Sequence, residues 1–70
     1  MKVNLTETVK VDTLNAPGGD TFLPAGAEGD IHEMDGHYVY IRFERPIECD
    51  GLIGIFPPTA LKGLLEVSPG

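Results

Sequence analysis

The chain has 70 residues, a net charge of -6 from five Lys or Arg against eleven Asp or Glu, 41% hydrophobic residues and one Cys. These values exclude a large multidomain architecture, an internal disulfide scaffold and a disordered acidic tail. Five scattered cations (Lys2, Lys10, Arg42, Arg45 and Lys62) argue against nucleic acid or an anionic membrane as partner, because both need clustered positive charge.

In chain order, Met1 to Glu7 lacks the apolar stretch of a signal peptide. With the free thiol of Cys49, this predicts a cytoplasmic protein. A start at Met1 without a tag leads us to expect a complete small protein, with one domain over residues 1–70. No apolar run approaches the roughly 20 residues that span a bilayer. Val3, Leu5, Val9 and Val11 share one parity, interrupted by Glu7, which predicts strand. Thr13 to Ala27 reads as one long loop, with turn chemistry in Asn15-Ala16-Pro17-Gly18-Gly19-Asp20 and again at Leu23-Pro24-Ala25-Gly26. Gly18-Gly19 lacks the Lys-Ser/Thr and the helix that make a phosphate loop.

Val39, Ile41 and Phe43 alternate with Tyr38, Tyr40, Arg42 and Glu44, the pattern of a strand with one buried and one wet face. The preceding turn admits two registers. A two-residue Asp35-Gly36 turn sends Ile31 to the wet face. A three-residue Met34-Asp35-Gly36 loop, with Gly36 left-handed, pairs Glu33 with His37 and Ile31 with Val39. Burial of Ile31 favours the second. Arg45 to Gly51 is a connection, Leu52 to Phe56 a short apolar strand, Pro57 to Leu61 a 3₁₀ turn, and Gly63 to Val67 the last strand. The total is five strands and no useful helix, an all-β fold. The expected core is Val9, Val11, Ile31, Val39, Ile41, Phe43, Ile53, Ile55, Leu61, Leu65 and Val67. Leu52 and Leu64 are left exposed, which points to association with a second copy or another protein.

Gly51-Leu52-Ile53-Gly54-Ile55-Phe56-Pro57-Pro58-Thr59-Ala60-Leu61 resembles the Gly-x-x-Gly-hydrophobic-Phe-Pro ending of SH3-like domains. Leu64-Leu65-Glu66-Val67 resembles their final strand. The resemblance spans residues 8–67 and implies a five-stranded SH3-like barrel, with residues 13–27 as the long first loop and a 3₁₀ turn before the last strand. Only Pro57 matches the family's ligand groove. The groove Trp is absent, and Ala60 stands where the family has Tyr. Gly26 to Ile31 and Leu61 to Val67 are also similar to the variable chain of ferredoxin–thioredoxin reductase. That likeness implies a non-catalytic accessory subunit. Within such a barrel, Phe22-Leu23-Pro24 either plugs the mouth, the preferred reading, or stands out as a knob for a partner.

His32, Glu33, Asp35 and His37 are of metal-ligating type. The preferred register puts the two histidines on opposite faces, so no metal or cofactor is expected. Glu33 and His37 then form a cross-strand pair. Cys49 lies between Glu48 and Asp50, which disfavour a thiolate, and no base is near in sequence. It reads as a plain loop or edge cysteine, and no enzyme active site is expected. Tyr38, Tyr40 and Arg42 alternate on the wet face and are of the types enriched at binding hot spots. They either bind a partner or merely cover the sheet. The partner-binding set is thus Tyr38, Tyr40, Arg42, Phe22 and Pro57. The expected function is a protein-interaction module or accessory subunit with a protein partner of basic character. The alternative is a small acidic inhibitor, of the kind bacteriophages make, that mimics nucleic acid in a basic groove.

Overall fold

Residues 1–14 and 21–67 are described by a computed structural model. They form β1 (Lys2–Leu5), β2 (Val9–Val11), β3 (Thr21–Leu23), β4 (Glu28–Met34), β5 (Val39–Arg45), β6 (Ile53–Phe56) and β7 (Leu65–Val67). Two 3₁₀ turns, Ile47–Cys49 and Pro58–Lys62, precede β6 and β7. The fold is all-β, as the alternation implies. Among the described residues the strand count is seven and not five. The apolar run from Val3 to Val11 divides at Thr6–Thr8, and the expected long loop contains β3. The predicted turn at Asn15–Asp20 lies outside the described residues.

Five strands form an antiparallel sheet in the order β6-β5-β4-β1-β7, and β2 pairs with β3 in a separate ribbon. The ribbon continues into residues 12–14, which run along the outer edge of β6. There Leu14 N–H donates to the Ile53 carbonyl at 3.0 Å, and Ile55 N–H donates to the Asp12 carbonyl at 2.9 Å. Neither sheet closes on itself among the described residues. Pro24 to Ala27 returns the ribbon to the sheet. Its third residue, Gly26, has φ +88°, a conformation that side chains with a Cβ rarely adopt.

The core lies between sheet and ribbon. Val3, Leu5, Leu23, Ala27, Val39, Ile41, Phe43, Cys49, Phe56, Ala60 and Leu65 are buried. The expected β5 residues and Leu65 are in place. Val9, Val11, Ile31 and Leu61 are only partly buried against this core. So are Leu52 and Leu64, which were expected to be exposed. Val67 is exposed.

β6 has the opposite parity to the expected one: Gly54 and Phe56 face inward, and Ile53 and Ile55 are half-buried. The Phe56 ring packs 6.1 Å from that of Phe43, and a ring removes more apolar area from water than an isoleucine does. Gly54 leaves the space these rings need, since a Cβ there would lie 3.0 Å from Phe56 Cε1.

The β4–β5 hairpin solves the burial problem differently from the predicted turn. Met34 pairs with Val39, and Asp35 N–H donates to the Tyr38 carbonyl at 3.0 Å, so Gly36-His37 form the tip. Gly36 is not left-handed. The register correction comes instead from a bulge at His32. Ile31 sits opposite Ile41, and Glu33 sits opposite Tyr40. One extra residue inverts parity beyond it, so Ile31 faces the core and Glu33 faces out.

Candidate interaction surface

The outer face of the five-stranded sheet carries Tyr40, Arg42 and Glu44 of β5, with Tyr38 just before the strand, because Val39, Ile41 and Phe43 occupy the inner face. Direct cross-strand partners extend it. Ile55 and Glu33 flank Tyr40, while Ile53 and Asp30 flank Arg42. Lys2 of β1 lies opposite Asp30. The surface therefore has an aromatic and aliphatic part beside a charged part.

In the aromatic part, the Tyr38 and Tyr40 rings stack with centroids 4.2 Å apart and planes 23° from parallel. The Tyr38 hydroxyl donates to Glu33 Oε2 at 3.2 Å. Glu33 was expected to pair with His37, and the His32 bulge redirects it to tyrosine. Asp35 Oδ1 accepts from the His37 backbone N–H at 2.6 Å, which holds the hairpin tip. Shielding from water, then the Glu33 hydrogen bond, then the Asp35 and Glu33 charges push the Tyr38 phenol up to about 12.

The sign of this shift has a measurable consequence. The fold favours the neutral phenol, so the associated stability is complete below the unfolded tyrosine value near ~10. It is lost as pH rises through about 12. Tyrosinate absorbance should show one phenol ionising at about 12, and Glu33→Gln should bring that midpoint down. A midpoint unmoved by Glu33→Gln would remove Glu33 from the cause.

In the charged part, Lys2 Nζ donates to Asp30 Oδ2 at 3.1 Å and also pairs with Glu44. The Met1 ammonium lies 3.7 Å from Asp30 Oδ1, and Arg45 Nη1 lies 3.9 Å from Glu28 Oε2. Lys2, Val3, Glu28, Glu44 and Arg45 line an open hollow of about 330 Å³. All these ion pairs are solvent-exposed, so each contributes on the order of 0–1 kcal/mol to stability.

The remaining predicted residues lie elsewhere. Phe22 pairs with Lys10 on the outer face of the ribbon and is 69% exposed, with Lys10 Nζ 5.8 Å from its ring centroid. Leu23 next to it is fully buried. The expected plug is thus split: alternation along β3 sends Leu23 inward and Phe22 outward. Pro57 is exposed and caps the start of the second 3₁₀ turn. Among the described residues, the Phe22 ring meets a lysine and neither tyrosine.

Cys49, expected as a plain loop or edge-strand cysteine, lies in the 3₁₀ turn Ile47–Cys49 and is buried, at 5% exposure. Burial first and the Glu48 charge second push its thiol pKa up, which disfavours the thiolate. No group of three His, Cys, Asp or Glu side chains suited to a metal ion occurs among the described residues. No helix among them is long and apolar enough to cross a membrane. Comparison with protein-family models, with curated proteins and with solved structures finds no match to this chain.

Sequence reasoning missed Glu33, Ile53 and Ile55 as parts of the tyrosine face. The signal for Glu33 was the broken alternation in Ile31-His32-Glu33-Met34. For Ile53 and Ile55 it was the pair of bulky rings at Phe43 and Phe56, with a glycine in step with Phe56.

Proposed function

We propose that this chain is a non-catalytic protein-interaction module, or small accessory subunit, whose partner covers the Tyr38/Tyr40/Arg42 face. The observation that carries this reading is the stacked tyrosine pair on an outward sheet face, flanked by two half-buried isoleucines and an exposed arginine. Tyrosine and arginine dominate binding energy at interfaces, and stacked rings lose little side-chain entropy on docking. Arg42 is exposed on an interior strand of the sheet, beside the tyrosines.

The same reading takes the architecture as an SH3-like barrel whose five strands are those of the main sheet, with the β2–β3 ribbon as an addition to it. Three features support it. The strand order β6-β5-β4-β1-β7 returns the last strand to the first. A ribbon stands where the long first loop was expected, and a 3₁₀ turn precedes the last strand. Ala60, at the place of the groove tyrosine, is buried, so Pro57 lacks an aromatic neighbour there. The proposed surface is therefore the sheet face and not a proline-peptide groove. A cytoplasmic setting suits the free buried thiol.

The acidic-mimic alternative needs many carboxylates grouped on one face, and on the sheet face Asp30, Glu44 and Glu28 are already paired with Lys2 or Arg45, while Glu33 and Asp35 make a group of two. The two readings differ in salt response. Immobilised wild-type and Tyr40→Ala chains should be exposed to native lysate at low and high salt, with retained proteins quantified by mass spectrometry. The expected result is a partner held at both salt levels and weakened about tenfold or more by Tyr40→Ala. A partner released by salt and indifferent to Tyr40→Ala would instead favour the mimic.

A further inference from the structure

The carboxylates of the outer face fall into two groups. Asp30, Glu44 and Glu28 each have a cation from the chain itself. Glu33 and Asp35, at the hairpin end, have hydrogen bonds only. Glu33 accepts from the Tyr38 hydroxyl and Asp35 from the His37 N–H. Among the described residues neither forms an ion pair. Both carboxylates also act on Tyr38, whose phenol their charges help to hold neutral. The end of the tyrosine stack is thus a place of negative potential in a chain whose net charge is -6.

The opposite end carries the other sign. Arg42 is exposed two residues beyond Tyr40, on the same face, and forms no ion pair among the described residues. Along one strand, Tyr38 and Arg42 are roughly 13 Å apart at about 3.3 Å per residue. The face thus runs from unpaired carboxylates beside Tyr38, over the aromatic middle, to the exposed Arg42, whose cross-strand neighbour Asp30 is already paired with Lys2.

Building on the interaction-module reading, we propose that the partner presents an arginine from an extended segment to the Tyr38 end, its guanidinium over the stacked rings and directed to Glu33 and Asp35. Charge complementarity selects a cation there. The flat ring surface selects arginine over lysine, because a planar guanidinium stacks on an aromatic face while keeping its in-plane donors for carboxylates. Arg42 sets the direction of the segment, since it repels the same cation from the other end. An acidic residue about four positions along the segment meets Arg42.

The probes are short Gly/Ser peptides carrying one arginine and a glutamate four positions from it, with matched peptides carrying lysine or glutamate in place of the arginine. Backbone amide shifts of the full chain are followed by NMR as each peptide is added. The arginine peptide should cause saturable shifts at Glu33, Tyr38 and Tyr40, bind more tightly than the lysine peptide, and leave the ribbon around Phe22 unmoved. The glutamate peptide should leave the Tyr38 end unmoved. Glu33→Gln combined with Asp35→Asn keeps hydrogen-bond acceptors at both positions and should weaken the arginine peptide about fivefold or more. Equal shifts from the glutamate peptide, or unchanged affinity in the double variant, would overturn the proposal. If the arginine peptide fails while Tyr40→Ala still releases the native partner, the surface stands and its arginine specificity falls. If Tyr40→Ala leaves that partner in place, the surface itself falls.

Discussion

Gly29→Ala should destabilise the protein by about 3 kcal/mol, near the upper end of the usual cost of overpacking. A Cβ at Gly29 would lie 2.4 Å from the Arg42 carbonyl oxygen and 2.9 Å from Phe43 Cα. These are backbone atoms of the neighbouring strand, so no side chain can swing away. Gly29 pairs with Phe43 beside a register shift at Glu28/Gly29. Relief would require β4 and β5 to separate, and with them the ladder that carries the tyrosine face. A domain of this size has a total stability of roughly 3–10 kcal/mol, so the loss is a large part of it. Urea titration followed by circular dichroism would measure the change. A midpoint within experimental error of wild type would refute the packing account of Gly29.

Phe43→Ala should cost a similar or larger amount, about 3–5 kcal/mol, because it empties the centre of the core. Phe43 is fully buried and packs against Phe56 at a tilt of 54°. The variant should be largely unfolded at room temperature, with collapsed amide dispersion in its NMR spectrum. Phe43→Leu should keep the fold and allow a sharper test. A Cβ at Gly54 would lie 3.2 Å from Phe43 Cε2 and 3.4 Å from Val11 Cγ2. Gly54→Ala should therefore be less harmful in the Phe43→Leu background than in wild type, a positive coupling in a double-mutant cycle. Additive effects would mean that the Phe43 ring does not define the space at Gly54.

Both predictions concern positions whose importance the sequence conveyed unevenly. The alternation Val39-Tyr40-Ile41-Arg42-Phe43 made β5 legible, including which side faces water. The all-β class followed from the same period and from closely spaced Pro and Gly. Gly29 carried no such signal, because its requirement comes from a backbone oxygen thirteen residues away in sequence. The parity of β6 was misread for a related reason. Ile53 and Ile55 outnumber the single Phe56 by hydrophobic count, yet the Phe43 and Phe56 rings together decide the inner face. Cys49 falls within the expected Arg45–Gly51 connection, but its burial comes from the 3₁₀ turn after Pro46, which the sequence did not convey.

The candidate surface divides in the same way. Tyr38, Tyr40 and Arg42 share a face by alternation alone. That Glu33 joins them depends on a bulge, which consumes His32 and inverts every side chain beyond it. Phe22 and Pro57 were candidates by residue type, and the fold places them on other elements.

The sequence by itself determined the class of structure, the two faces of β5 and the sign of the surface charge. Each is a property of local alternation or of composition. Only the tertiary structure decided the burial of Cys49, the face of β6, the space at Gly29 and the partners of each carboxylate. Each of those depends on atoms brought together from distant positions, where close packing and the reach of a charge, and not local period, set the outcome. The acidic excess illustrates the difference. Counting gives -6, but the fold neutralises Asp30, Glu44 and Glu28 with the chain's own cations and leaves Glu33 and Asp35 beside the tyrosines.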